Sequence, residues 1–347
     1  MLRRWDDFEF RSNQVVLRRP PTRCYLNLIE TCNLRCVHCI TQAPQRTADE
    51  TGRQMGPAVL QRLIPHLGAM EYVGLTHAGE PITASILEPL LVALQEARVG
   101  QPTVVHVLSN GLALTPKRFE QLIALGVNSW SISIDGMSAQ SHDVVRLGSK
   151  IERLLPRVEA LARLRPKGVR LGVAWTLTQN NQAELPSLIR FAAQAGLDWV
   201  KVEELVPVNP AAVALATTDC ESWLTEAEAL ANALMLRFLN HTRTPEVWKC
   251  RTAETVQIAR FAVADDFVNR MEINRCRLPF ELINVEPDGT VKPIDFHHPA
   301  AGSLLQQTLE EIWNGPAFVM ARSQSMARRF CRRGPITCPS DPGPEFW

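Results

Sequence analysis

The chain has 347 residues, 46% of them apolar, enough to bury a large core as one elaborated α/β barrel or as two domains. Lys and Arg total 37 against 36 Asp and Glu, so no field of one sign points to nucleic acid or a membrane surface, and a small or neutral substrate is the default expectation. Residues Met1 to Phe10 are charged and include Trp5, and no run of about 18 apolar residues occurs anywhere, so neither a signal peptide nor a membrane span is expected and the expected compartment is the cytosol.

From Arg23 to about Leu205, short β-rich runs alternate with helical patterns, the pattern of βα units on a parallel sheet. Six strands are predicted, at 24–30, 72–76, 103–109, 129–135, 169–177 and 199–206, with amphipathic helices between them that include 58–67, 84–97 and 118–126. Pro207, Asn209 and Pro210 interrupt the alternation, and a second helical stretch is predicted at 222–241. Residues 280–294 read as a β-hairpin turned by Asp288-Gly289, and 308–315 as a short helix before a tail rich in Cys and Arg. The expected division is an N-terminal extension 1–22, a barrel core 23–210, a helical linker 211–270 and a C-terminal domain 271–347.

Three of the nine cysteines, Cys32, Cys36 and Cys39, follow the first strand at spacing i, i+4, i+7. A loop at the carboxyl end of a barrel strand is where active sites sit. Three thiolates suit a [4Fe–4S] cluster and leave one iron open to another ligand. A zinc site completed by His38, or three unrelated buried thiols, are the competing readings.

The segment CNLRCVHC, the segment Thr76-His77-Ala78-Gly79-Glu80-Pro81, Leu108-Ser109-Asn110-Gly111 and Ser131-Ile132-Ser133-Ile134-Asp135-Gly136 stand in barrel order. Together they resemble the radical S-adenosylmethionine (SAM) superfamily. The resemblance implies a partial (β/α)6 TIM-like barrel, a cluster on Cys32, Cys36 and Cys39, and SAM chelating the open iron. It assigns Ala78, Gly79 and Glu80 to the loop that holds the SAM amino group, with Ala78 standing where relatives have glycine. Ser109 and Asn110 fall in a second SAM-facing loop. Ser133 and Asp135 are the candidates for the SAM ribose or carboxylate, and Arg146 for the carboxylate, to which a guanidinium fork is suited. Taken singly, each of these polar residues reads equally well as a cap or a turn former, and Glu80 as a carboxylate at a helix start. The implied chemistry is reductive cleavage of SAM to methionine and a 5′-deoxyadenosyl radical that abstracts hydrogen from an unactivated C–H bond, with an electron from a flavodoxin or ferredoxin.

Cys276, Pro279-Phe280, Asp288-Gly289, Lys292-Pro293, Gly302-Ser303-Leu304 and Glu311-Ile312-Trp313-Asn314-Gly315 resemble the small α+β SPASM and twitch extensions of that superfamily, which carry auxiliary [4Fe–4S] clusters. Ile294 occupies the place of the second hairpin cysteine, and Cys331 and Cys338 do not form a tight CxxC pair. Cys276, Cys331 and Cys338 are thus candidate ligands of an auxiliary cluster, with Cys250, Asp295, His297 or His298 to complete it; a twitch fold that has lost its cluster is the alternative. Cys24 and Cys220 read as packing residues. Cys250 is also a candidate hydrogen-atom donor to a product radical.

Strand position makes His77, His106, Trp175 and Glu203 candidate substrate contacts, and alternation allows only one of Glu203 and Glu204 to face inward. Three functions follow. The first is dehydrogenation, epimerisation or elimination on a small polar substrate such as a sugar, cyclitol or aminoglycoside precursor. The second is maturation of a ribosomal peptide, against which the 22 residues before the first strand are expected to be too few to bind a leader. The third is non-catalytic electron transfer.

Overall fold

A computed structural model describes residues 14–76, 78–217, 219–242, 278–294 and 298–326. Its strands are β1 (Arg23–Leu26), β2 (Arg35–Cys36), β3 (Tyr72–Leu75), β4 (Val104–Ser109), β5 (Ser129–Ser133), β6 (Arg146–Leu147), β7 (Arg170–Leu177), β8 (Trp199–Glu204), β9 (Arg237–His241), β10 (Leu282–Val285), β11 (Thr290–Pro293) and β12 (Gly302–Ser303). Ten of them form one sheet in the order β12-β11-β10-β1-β3-β4-β5-β7-β8-β9, while β2 and β6 pair separately. The six strands β1, β3, β4, β5, β7 and β8 run parallel, and helices connect them, as a partial TIM barrel requires.

The helices start where the sequence supplies a proline or a cap. Pro57 opens Pro57–Leu67, and Thr115 caps Pro116–Ala124 by accepting the Arg118 amide. Their apolar stripes, such as Val59, Leu60, Leu63 and Leu67, bury against the outer face of the sheet with Val73, Val107, Ile132, Val173 and Val200 in one core. Each such side chain contributes about 1.5–3 kcal/mol on burial. The inner face carries the alternate residues, and it is polar: His106 bonds Ser129 at 2.8 Å, and the Trp199 indole donates to Ser131 at 3.2 Å.

Two elements depart from expectation. The predicted helix 222–241 stops at Ala233: Met235 takes a left-handed φ of 55°, the Leu236 amide turns back to Ala231, and the chain leaves as β9. β9 lies parallel beside β8, with Trp199 opposite Arg237 and Glu203 opposite His241. The predicted hairpin forms around Gly289, whose φ is 82°. Its first strand, β10, adds in parallel to the free edge of β1, Arg23 opposite Leu282 and Leu26 opposite Val285. The described part of the C-terminal segment therefore continues the barrel sheet.

Ile294 lies in an apolar cluster with Tyr25, Tyr72, Leu278, Leu282 and Ala321. A fully buried Arg322 closes this end, donating to the carbonyls of Pro279 and Val15 and lying 4.2 Å over the Trp313 ring. Among the described residues no helix is long and apolar enough to cross a membrane.

Candidate functional site

The loop after β1 brings Cys32, Cys36 and Cys39 together as free, half-buried thiols. They are close enough that Cys36 feels both others and Cys32 feels Cys39; burial pushes Cys36 up to about 11. Cys32 Sγ accepts the Leu34 amide at 3.5 Å and faces Asn110 Nδ2 at 3.6 Å. Cys36 Sγ lies 4.0 Å from an Arg146 terminal nitrogen, because β2 and β6 pair Cys36 directly with Arg146. Amide donors and a guanidinium around sulfur suit thiolate ligands of an iron–sulfur cluster, so the donor set fits that group.

The zinc reading is weakened, because His38 is spent elsewhere. Its Nε2 donates to Asp135 Oδ2 at 3.0 Å.

The base of the cysteine loop is held by a buried carboxylate. Glu30 accepts the Arg53 backbone and side chain and pairs with Arg46 at 2.8 Å. Burial works against its ionisation, but Arg53 and Arg46 outweigh it and keep the carboxyl below its usual range. Arg53 also reaches Asp288 in the hairpin turn, which ties hairpin and loop together.

Gly79 follows β3 with φ 58°, and a β-carbon there would stand 2.3 Å from the carbonyl oxygens of both Ile29 and Thr31. Only glycine allows this close approach of the β3 loop to the cysteine loop. Ala78 beside it is half-buried. Glu80 is buried, and its Oε2 takes the Asn110 amide at 2.8 Å. Burial pushes this carboxyl up to about 7 despite that hydrogen bond. Ser109 Oγ accepts the Gly111 amide, and Asn110 also donates to Asn33 in the cysteine loop at 2.7 Å.

At the end of β5, Ser133 is buried on the inner face, opposite Ala174. Asp135 is wholly buried with both oxygens engaged: Oδ2 takes His38 and the Arg146 Nε at 2.6 Å, and Oδ1 takes the Thr176 amide at 2.7 Å. Burial opposes its charge, but Arg146 and then His38 outweigh burial and hold the carboxyl well below the usual carboxylate range. Asn181 braces the turn through the Asp135 and Thr176 carbonyls. In this geometry Asp135 positions Arg146 and His38.

The substrate candidates divide by face. Thr176 pairs with Glu203, so Glu203 faces inward and bonds Lys201 at 2.7 Å. His106 is inner but deep, on the floor beside Trp199, and burial pushes it down to about 3. Trp175 is corrected: it pairs with Val202 and is fully buried in the core between sheet and helices, on the opposite face from Glu203. His77, Cys250, Cys276, Asp295, His297, Cys331 and Cys338 lie outside the described residues.

Sequence reasoning did not assign His38 to Asp135, nor did it find Lys201 or His241. The signal for Lys201 is its period-2 relation to Glu203, and β9, which carries His241, falls within the stretch predicted as helix.

The family model of the radical SAM superfamily matches residues 26–192, and that of the SPASM iron–sulfur cluster-binding domain matches 276–339. Over 181 residues the chain is 26% identical to the pre-heme d1 synthase of Dinoroseobacter shibae, covering 52% of this chain and 42% of that protein. Over 201 residues it is 27% identical to the sporulation killing factor maturation protein SkfB of Bacillus subtilis, covering 58% and 47%. The chain thus aligns over about half the length of these curated relatives. The crystal structure of Streptococcus suis SuiB bound to the precursor peptide SuiA superposes with a TM-score of 0.62 at 14% identity, over 92% of this chain and 70% of that one, a likeness of fold.

Proposed function

We propose that this chain, which belongs to the radical SAM superfamily and carries a SPASM-type C-terminal domain, holds a [4Fe–4S] cluster on Cys32, Cys36 and Cys39 and acts on a small polar substrate inside the barrel. Bound there, the cluster and SAM supply the 5′-deoxyadenosyl radical. The chain's own residues position and shield. Gly79 lets the β3 loop lie against Ile29 and Thr31, and Glu80 fixes the Asn110 backbone beside Cys32. Arg146, its Nε held by Asp135 and one terminal nitrogen beside Cys36 Sγ, keeps the other terminal nitrogen for the SAM carboxylate. The β10–β11 hairpin covers the edge of β1 that would otherwise open the site to water.

The observation that carries this reading is the meeting of three free thiols with Asn110 and with the Asp135–Arg146 pair, brought from the ends of separate strands. The test is anaerobic reconstitution with iron and sulfide, followed by SAM and a flavodoxin or dithionite as reductant. Methionine and 5′-deoxyadenosine should form, and Cys36→Ser should reduce that formation at least about tenfold. An unmodified chain that takes up no iron and leaves SAM intact sinks the reading in favour of a non-catalytic role.

Peptide maturation is the second reading. It draws on the name of the related SkfB, a maturation protein. The polar inner face at Lys201 and Glu203 favours the small polar substrate.

A further inference from the structure

We propose that Lys201, Glu203 and His241 form a substrate-recognition site for an uncharged, hydroxyl-rich ligand such as a cyclitol or neutral sugar. The inference rests on the functional reading above and names the chemistry its substrate must have.

The three residues sit on the inner face toward the carboxyl ends of β8 and β9, Glu203 directly opposite His241 across the pair. Glu203 stands opposite Thr176, whose amide Asp135 accepts at 2.7 Å, so the group lies beside the carboxylate that holds Arg146. Lys201 and Glu203 are bonded at 2.7 Å with side chains 17% and 37% exposed, so both remain open to a ligand. His241 is only 7% exposed, and its Nδ1 is buried with no hydrogen-bond partner among the described residues. A buried ring nitrogen left without a partner is a cost to the fold that a ligand hydroxyl reaching it would relieve. Burial and the neighbouring Lys201 keep this imidazole neutral, down to about 4. The trio therefore offers ammonium donors, carboxylate acceptors and a neutral ring, with no net charge.

Two neighbouring charges are paired in the same way: Arg146 with Asp135 at 2.6 Å and Lys292 with Glu286 at 3.1 Å. A phosphate or polycarboxylate brought to Lys201 would meet Glu203 at the same place, and a cationic ligand brought to Glu203 would meet Lys201. A hydroxyl accepts from the ammonium and donates to the carboxylate at once. Beneath the group, Trp199 is buried with its ring 6.2 Å from that of His106, which gives the site a rigid base.

The experiment is calorimetric titration of the reconstituted, SAM-loaded protein with myo-inositol, myo-inositol 1-phosphate and 2-deoxystreptamine. Myo-inositol should bind at least about tenfold more tightly than either charged probe. Glu203→Gln should turn the preference toward the phosphate, and Lys201→Met toward the amine. Opposite shifts from two single substitutions at one pair do not arise from misfolding.

Failure of myo-inositol to bind, or tighter binding of a charged probe by the unmodified protein, overturns the proposal. If that protein still binds iron and cleaves SAM, only this inference falls. If it does neither, the functional reading falls with it.

Discussion

Asp135 is the residue on which most of the site converges, since one carboxylate fixes the cysteine loop through His38 and the β6 strand through Arg146. Removing its charge leaves a guanidinium without its partner in a buried place. Asp135→Asn should therefore lower the unfolding free energy by about 3–5 kcal/mol, read from the denaturant midpoint at constant slope. A loss under about 1 kcal/mol would mean that the pair behaves as a screened surface contact.

Glu80 makes the opposite prediction for pH. Its carboxyl stands near 7 in the fold against an ordinary value of 4.5, so the protonated form is the one the fold prefers. That contribution is fully present below the unfolded value and is lost as pH rises through about 7, at most about 3 kcal/mol in all. Between about pH 5 and pH 8 the metal-free chain should lose stability that Glu80→Gln retains; parallel pH profiles of the two would overturn the assignment.

At this scale the cysteines were legible because their spacing is itself the chemistry. The engagement of Asp135 was not, because no pattern in the sequence links it to His38 across nearly a hundred positions. Trp175 was misplaced for a related reason: β7 is buried on both faces, so its sequence does not show which alternate set faces inward.

Among the elements, the six parallel strands were legible because β-branched and aromatic runs alternate with amphipathic helices at regular intervals. β9 was hidden by the residue that ends the helix before it. Met235 adopts φ 55° at a position where glycine is the usual choice, and it is 95% exposed, so it forms no packing that would be missed. Met235→Gly should raise stability by about 0.5–1 kcal/mol, visible as a higher melting temperature; an unchanged or lower one would show that residues 231–236 are not strained as described. The hairpin was found from Asp288-Gly289, but its parallel union with β1 was not, since a hairpin's sequence fixes its own register and leaves its docking edge open.

For the whole molecule, the packing at Ile294 bears on how many clusters it binds. Ile294 lies in apolar packing where the SPASM pattern has a cysteine, and it does so with φ 66°, a conformation rare for a β-branched residue. Replacing Cys32, Cys36 and Cys39 together by alanine and measuring iron after reconstitution separates the cases. We expect iron near zero, the outcome for a single cluster; about four irons retained would show an auxiliary cubane and favour net oxidation of the substrate.

The pairing of β1 with β10 also sets a clock on biosynthesis. Asn27, just past β1, bonds Glu286, just past β10, across 259 positions of sequence. At roughly 5–20 residues per second, a ribosome needs on the order of 10–50 s to make the strand that covers β1 after β1 itself has been made. For that interval the strand leading into the cysteine loop keeps a bare edge, open to pairing with other nascent chains. Loading of iron should accordingly follow release from the ribosome, and cells that slow translation late in the message should accumulate aggregated rather than merely metal-free protein.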